Sequence, residues 1–224
     1  RITQGETPDH LGLQLAWLSH LLGAEADAHE DGRADLAIAL QARQVRVLDH
    51  HILRFIQPFS EAVSQNRSPF YTALVDAIKL LLIDLRAQHS VPPEAWALAE
   101  PERPLAHPEN RLRDIADWLC IPGHAGFYFS LDEIQRLGRE LEVPAGFGRR
   151  VDCLESLLHG AVRFEALPRL LEALDSHLET LTGSRNAVGL PDAHRAPWSR
   201  RIQATRTGLA TLARGAASLN PTDE

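Results

Sequence analysis

The chain has 224 residues, 44% of them hydrophobic, and a formal charge of −7 from 30 acids against 23 bases. That length can bury a substantial core in one large or two small domains, and the acidic balance argues against a nonspecific nucleic-acid binder, because phosphate binding needs a cationic face. Two cysteines, Cys120 and Cys153, argue against a disulfide framework and for a reducing compartment.

No uncharged apolar run approaches the roughly 18 residues of a membrane span; IKLLLIDL is interrupted by Lys79 and Asp84. No secretory signal opens the sequence, so the expected address is cytoplasmic. The chain starts at Arg1 and contains no methionine, which reads as a processed or shortened start.

Apolar residues recur at three and four residue spacing almost throughout, and strand signals are scarce. A first helix is expected from about Asp9 to Ala28, with Leu11, Leu15, Leu18 and Leu22 on one stripe and Asp9 as its cap. After the turn HEDGR, a second is expected from about Ala34 to Phe55, broken or kinked by Pro58. A third follows in SPFYTALVDAIKLLLIDL, with Ser68 as cap, Pro69 in the first turn, and Phe70, Leu74, Ile78, Leu81 and Leu85 as a broad buried face.

HSVPPEAWALAEPERPLAHPEN, with five prolines, is the best boundary, dividing the chain into a helical unit over 1–91, a linker over 92–109 and a second helical unit over 110–224. In the second unit NRLRDIADWL reads as a helix and CIPGHAGFYF as a loop. SLDEIQRLGRELE opens on the capping box Ser130 and Glu133. PAGFG interrupts, two helices follow in RRVDCLESLLHGAVRF and EALPRLLEALDSHLETL, TGSRNAVGLPDAHRAP reads as a loop, and SRRIQATRTGLATLARGAAS is a terminal helix. The class is all-α, in about seven or eight helices.

Eleven histidines invite a metal. A helical diiron site needs Glu-x-x-His on two helices, and that tetrapeptide does not occur. His50 and His51 are neighbours on a helix and point about 100° apart. Cys120 with His124, and Cys153 with His159, match no recognised zinc spacing. There is no G-x-S-x-G elbow, no glycine-rich nucleotide fingerprint and no P-loop, so neither a metal nor another cofactor is expected. What remains is Asp9 beside His10 at the mouth of an apolar helix. Adjacent side chains at a helix start do not usually touch, which makes a cap followed by a surface histidine the plain reading. Trp17, two turns beyond His10, shares its face and suits a peptide carrying a positive group beside a hydrophobic segment.

ETPDHLGLQLAWLSHLL resembles the signature segment of the TorD/DmsD group of cytoplasmic chaperones for molybdenum enzymes, an acid and often a proline before PDH and a hydrophobic helix. RQVRVLDHHILRFIQPFSEAV is similar to that group's helix ending in a proline and an aromatic, and SPFYTALVDAIKLLL to its small residue, Phe, Tyr and helix; together they span about residues 5 to 89. Thr7 stands where the group often has a second proline. Group members carry a helical half ahead of this segment, so such a half is expected to be absent here or rearranged; residues 110 to 180 are reminiscent of the extension in longer members.

The resemblance implies a TorD-like helical bundle without catalytic activity. It further implies binding to the twin-arginine signal peptide or apo form of a molybdenum and iron–sulfur oxidoreductase until its cofactor is inserted, before export. By the same resemblance Asp9 and His10 belong to the peptide-binding hinge, with Pro8 directing the chain. Glu6 adds a carboxylate at the rim and Trp17 an aromatic wall. Glu25, Asp27, Glu30 and Asp31 are further acids on or near the first helix. A homodimer is compatible with the long linker. The alternatives are a metal-dependent helical enzyme using His10, His20, His50 or His51, and a plain helical interaction module.

Overall fold

The computed structural model describes residues 10–65, 68–186 and 189–219, and among them the secondary structure is helical without strands. Helix α1 spans Leu11–Glu30, α2 Ala34–Val47, α3 Leu53–Gln65, α4 Pro69–Ala87, α5 Leu112–Cys120, α6 Pro122–Ala125, α7 Leu131–Leu141, α8 Arg150–Arg163, α9 Leu167–Asn186 and α10 Asp192–Leu219. A π turn, Leu48–Ile52, joins α2 to α3 without a break. If that run counts once and the single turn of α6 is set aside, the described chain has the eight long helices of an all-α bundle.

Helix α1 ends because Gly32 takes φ +69, a left-handed conformation in which glycine meets no Cβ penalty. Arg33 N–H then reaches the Ala28 carbonyl at 2.8 Å and Gly32 N–H the His29 carbonyl at 3.1 Å, closing the last turn. The chain reverses into α2, and the two helices pack along Leu18, Leu21, Ala28, Ala37 and Leu40. The buried line of α1 is therefore Gln14, Leu18, Leu21 and Ala28, with Leu11, Leu15 and Leu22 beside it rather than at its centre.

Pro58 does not end the second helix; it lies inside α3. A proline at that point leaves the carbonyl four residues earlier, that of Arg54, without its helical donor. The indole Nε1–H of Trp198 takes the vacancy at 2.6 Å, so α10 supplies what the sequence withholds.

Helix α4 is turned by one residue, about 100°, from the expected face, of which Ile78 and Leu85 stay half-buried against the core. Its buried line is Val75, Lys79, Leu82 and Arg86, whereas Phe70, Tyr71, Leu74, Leu80 and Leu81 are exposed. Apolar residues surround nearly the whole circumference of this helix, so periodicity left the choice open, and the two cations decided it. Lys79, the chain's only lysine, donates to Ser60 Oγ at 3.0 Å and Asp76 Oδ1 at 2.9 Å, and Arg86 reaches Asp49 in the π turn. A buried charge needs such partners, whereas an exposed leucine forgoes about 2 kcal/mol of burial.

Two apolar cores result. One runs from Leu18 through Leu48, Ile52, Leu53 and Leu82 and takes in Leu190; the other gathers Leu119, Phe127, Phe129, Ile134, Leu154, Leu157, Leu170 and Leu174. The proline-rich stretch between them forms no helix yet is packed: Trp96 meets Trp198 edge to face at 6.3 Å, and Leu105 is buried in the second core. CIPGHAGFYF, expected as loop, contains α6, whose C-terminal Gly126 takes φ +85. Ser130 Oγ accepts the Glu133 N–H as its capping half, while the Glu133 carboxylate turns to Arg136 and His177. Helix α9 continues to Asn186 and α10 starts at Asp192, running through Pro197, so the expected second loop is far shorter.

Two measurements test this packing. A Cβ at Gly126 would sit 2.6 Å from the Ile202 backbone nitrogen, and φ is positive there, so Gly126→Ala is expected to cost more than about 2 kcal/mol in urea unfolding. Cys120 and Cys153 are buried free thiols, and burial pushes the Cys120 thiol up to about 11. Iodoacetamide at neutral pH is expected to spare both in the native chain and to alkylate both in urea.

Candidate functional site

Helix α1 starts with His10, not Asp9, in the capping position. His10 has φ −64 and ψ 120, and its Nδ1 accepts the Gly12 N–H at 3.2 Å. Accepting at Nδ1 leaves the neutral ring's proton on Nε2. A Cβ at position 12 would lie 3.2 Å from the ring, so glycine makes room for this cap. Asp9, Pro8 and Glu6 lie outside the described residues.

Trp17, two turns further on, is 50% exposed. Its ring lies 6.3 Å from that of His51, tilted by 58°. The π turn makes this meeting, for it turns His51 to Trp17 and His50 to Glu94, 3.5 Å from its carboxylate. The adjacent histidines thus serve different neighbours, and among the described residues no group of three or more His, Cys, Asp or Glu is arranged to hold a metal ion.

The acids of α1 are distributed otherwise than a single rim requires. Glu25 is taken by Gln44 Nε2 at 2.6 Å and by Gln41. Burial opposes its ionisation, but those amides and His29 more than offset this and hold its carboxyl below the usual range. Asp27, Glu30 and Asp31 are exposed at the far end of the helix, roughly 25–30 Å along the axis from His10. Clefts of about 520, 550 and 390 Å³ lie away from α1, between α9 and α10, beside α5, and between α5 and the end of α10. The Trp17 site is an open face.

Beneath that face lies a buried polar hub that sequence reasoning missed. Asp49, 5% exposed, receives Arg86 Nε at 2.7 Å on Oδ1 and Arg86 Nη2 at 2.9 Å on Oδ2, a bidentate pair. The wholly buried His194 brings Nε2 to within 3.0 Å of Oδ1. Arg86 also donates to the carbonyls of His89 and Val91, fixing the start of the proline-rich stretch. Burial raises the Asp49 pKa and the bonds from His194 and Arg86 lower it; the bonds win, and the carboxyl lies below its ordinary range. The signal available in the sequence was an aspartate and an arginine on faces read as helical, 37 residues apart, with a histidine a further hundred residues away.

Removing one partner of such a pair strands a buried charge. Arg86→Met is expected to cost about 3–5 kcal/mol in urea unfolding at neutral pH. Because the folded carboxyl is depressed, its stabilisation is complete above the unfolded value of about 4 and is withdrawn as pH falls through the lower folded value. The stability gap between the native chain and Asp49→Asn is therefore expected to narrow on acidification from about pH 5 to about pH 3.

No curated protein and no solved structure matches the chain. The family model described as nitrate reductase delta subunit does match, over residues 3–61. That stretch holds α1, α2, the π turn and most of α3, and therefore both Trp17 and Asp49. Over those first helices, about a quarter of its length, the chain is similar to the nitrate reductase delta subunit family, which is consistent with the redox enzyme maturation proteins.

Proposed function

We propose that the protein is a noncatalytic chaperone that binds the twin-arginine signal peptide or apo form of a molybdenum and iron–sulfur oxidoreductase. It holds that client in the cytoplasm while the cofactor is inserted, before export. The observation that supports this most directly is the Trp17–His51 pair, two aromatic faces open to solvent inside the matched stretch. Aromatic faces attract guanidinium groups, and an arginine pair followed by an apolar segment offers both kinds of surface the site asks for. Glu6 and Asp9 stand just ahead of His10 in the sequence, with Pro8 between them, and are assigned here to the arginines. Each exposed ion pair is worth only about 0.2–1 kcal/mol, so contact with Trp17 and its apolar neighbours carries most of the affinity.

A second reading concerns oligomeric state. Phe70, Leu74 and Leu81, at spacings of one and two turns, lie on the outward side of α4, and Phe70 and Leu81 are about two-thirds exposed. A homodimer would cover them. Sedimentation velocity decides: a dimer that Leu81→Glu converts to monomer supports it, and a monomer at all concentrations removes it.

For the principal reading, titration calorimetry with a peptide of two arginines and an apolar segment is expected to give a micromolar or tighter Kd, about 8 kcal/mol. Trp17→Ala is expected to weaken it by about tenfold, or roughly 1.4 kcal/mol, and Asp9→Asn to weaken it as well. Equal binding of a lysine-for-arginine peptide, with both variants unaffected, overturns the assignment.

A further inference from the structure

The π turn is held from outside the stretch that matches the family. Helix α10 approaches it at two points. His194 bonds the Asp49 carboxylate at 3.0 Å, and Trp198 donates to the Arg54 carbonyl, which Pro58 leaves free, at 2.6 Å. Both α10 residues are buried. The proline-rich stretch closes the same joint. Arg86 fixes the carbonyls of His89 and Val91, Trp96 lies between Arg54, whose guanidinium is 5.2 Å from its ring centre, and Trp198, and Arg201 of α10 donates to the Ala99 carbonyl at 3.0 Å. Arg54 in turn donates through Nε to the Asp49 carbonyl at 3.2 Å. Side chain and backbone of the π turn are thus both tied to α10.

The consequence lies on the opposite side of that turn. Leu53 N–H bonds the Leu48 carbonyl, five residues back, and this wider spacing rotates the residues within it relative to a regular helix. His50 and His51 are two of those residues, and His51 is the one against Trp17. A contact that stabilises the wide turn therefore fixes where His51 stands.

We propose that the docking of α10, through His194 and Trp198, is a positioning device that sets the geometry of the Trp17–His51 face. His194 and Trp198 are positioning residues in this scheme, because His194 bonds Asp49 of the π turn and Trp198 the Arg54 carbonyl just beyond it, while the open face is formed by Trp17 and His51. By linkage, anything bound across Trp17 and His51 that requires the present geometry tightens the docking of α10 in return. The device makes use of the face assigned above to a peptide but does not depend on what binds there.

Hydrogen exchange of the full chain, read by mass spectrometry, tests it without any peptide. Amides of segment 50–56 are expected to exchange about tenfold faster in His194→Leu and in the milder Trp198→Phe, while those of 154–161 in α8 keep their native rate. His194→Gln, whose amide can donate to Asp49 in place of the ring, is expected to return segment 50–56 close to the native rate. Modification of His51 by diethylpyrocarbonate is expected to quicken in His194→Leu and not in His194→Gln. Native exchange at 50–56 in both His194→Leu and Trp198→Phe, or equal acceleration at 154–161, overturns the proposal. Failure of the peptide titration leaves it standing, and its own failure leaves the peptide reading untouched.

Discussion

A carboxylate is expensive to bury, and the first half of this fold is organised around one that is buried. Asp49 occupies a turn of helix wound wider than its neighbours and meets a forked guanidinium on one side and an imidazole on the other. Without them the desolvated charge would cost several kcal/mol. With them it fixes three things together: the rotation of α4, the path of the chain after it, and the seat of α10. The rotation of α4 away from its expected face follows from the same requirement, since turning Arg86 inward leaves Phe70 and Leu81 outward.

The units are joined at more than this one place. Gln65 donates to the Tyr128 carbonyl and accepts the Ser130 N–H, tying the end of α3 to the chain entering α7. His177, pressed against Phe127 and Phe129 and bonded to Glu133, lies in the same region. Burial holds its imidazole below the usual pKa, with Glu133 opposing. Such contacts are polar and directional, so they specify an angle between packed helices more closely than apolar contact does.

The helical class, the positions of α1, α5, α7 and α8, and the turn at Gly32 were legible because each has a local cause: a periodic apolar stripe, a cap, or a glycine where the backbone becomes left-handed. Pro58 and Pro197 misled for an equally local reason, since proline's missing donor is judged within a helix while its remedy, as at Arg54, comes from another one. Of the residues singled out near the start, His10 and Trp17 share the exposed side of α1, and the capping role expected of Asp9 belongs to the His10 ring. His51 joined them only through the π turn, and no periodicity rule announces an inserted residue. Asp49, Arg86 and His194 were invisible as a group because long-range charge pairing leaves no mark on sequence spacing.

Lys79 also bears on how contacts of this protein are to be mapped. Every other basic side chain of the lysine and arginine class is arginine, and the single amine is buried against Ser60 and Asp76. Cross-linkers that couple side-chain amines find no accessible lysine on the folded surface, so a genuine companion could go unrecorded by the commonest chemistry. Carboxylate-directed or photoactivated reagents, for which the exposed acids at the far end of α1 are ready targets, are the appropriate means of capture.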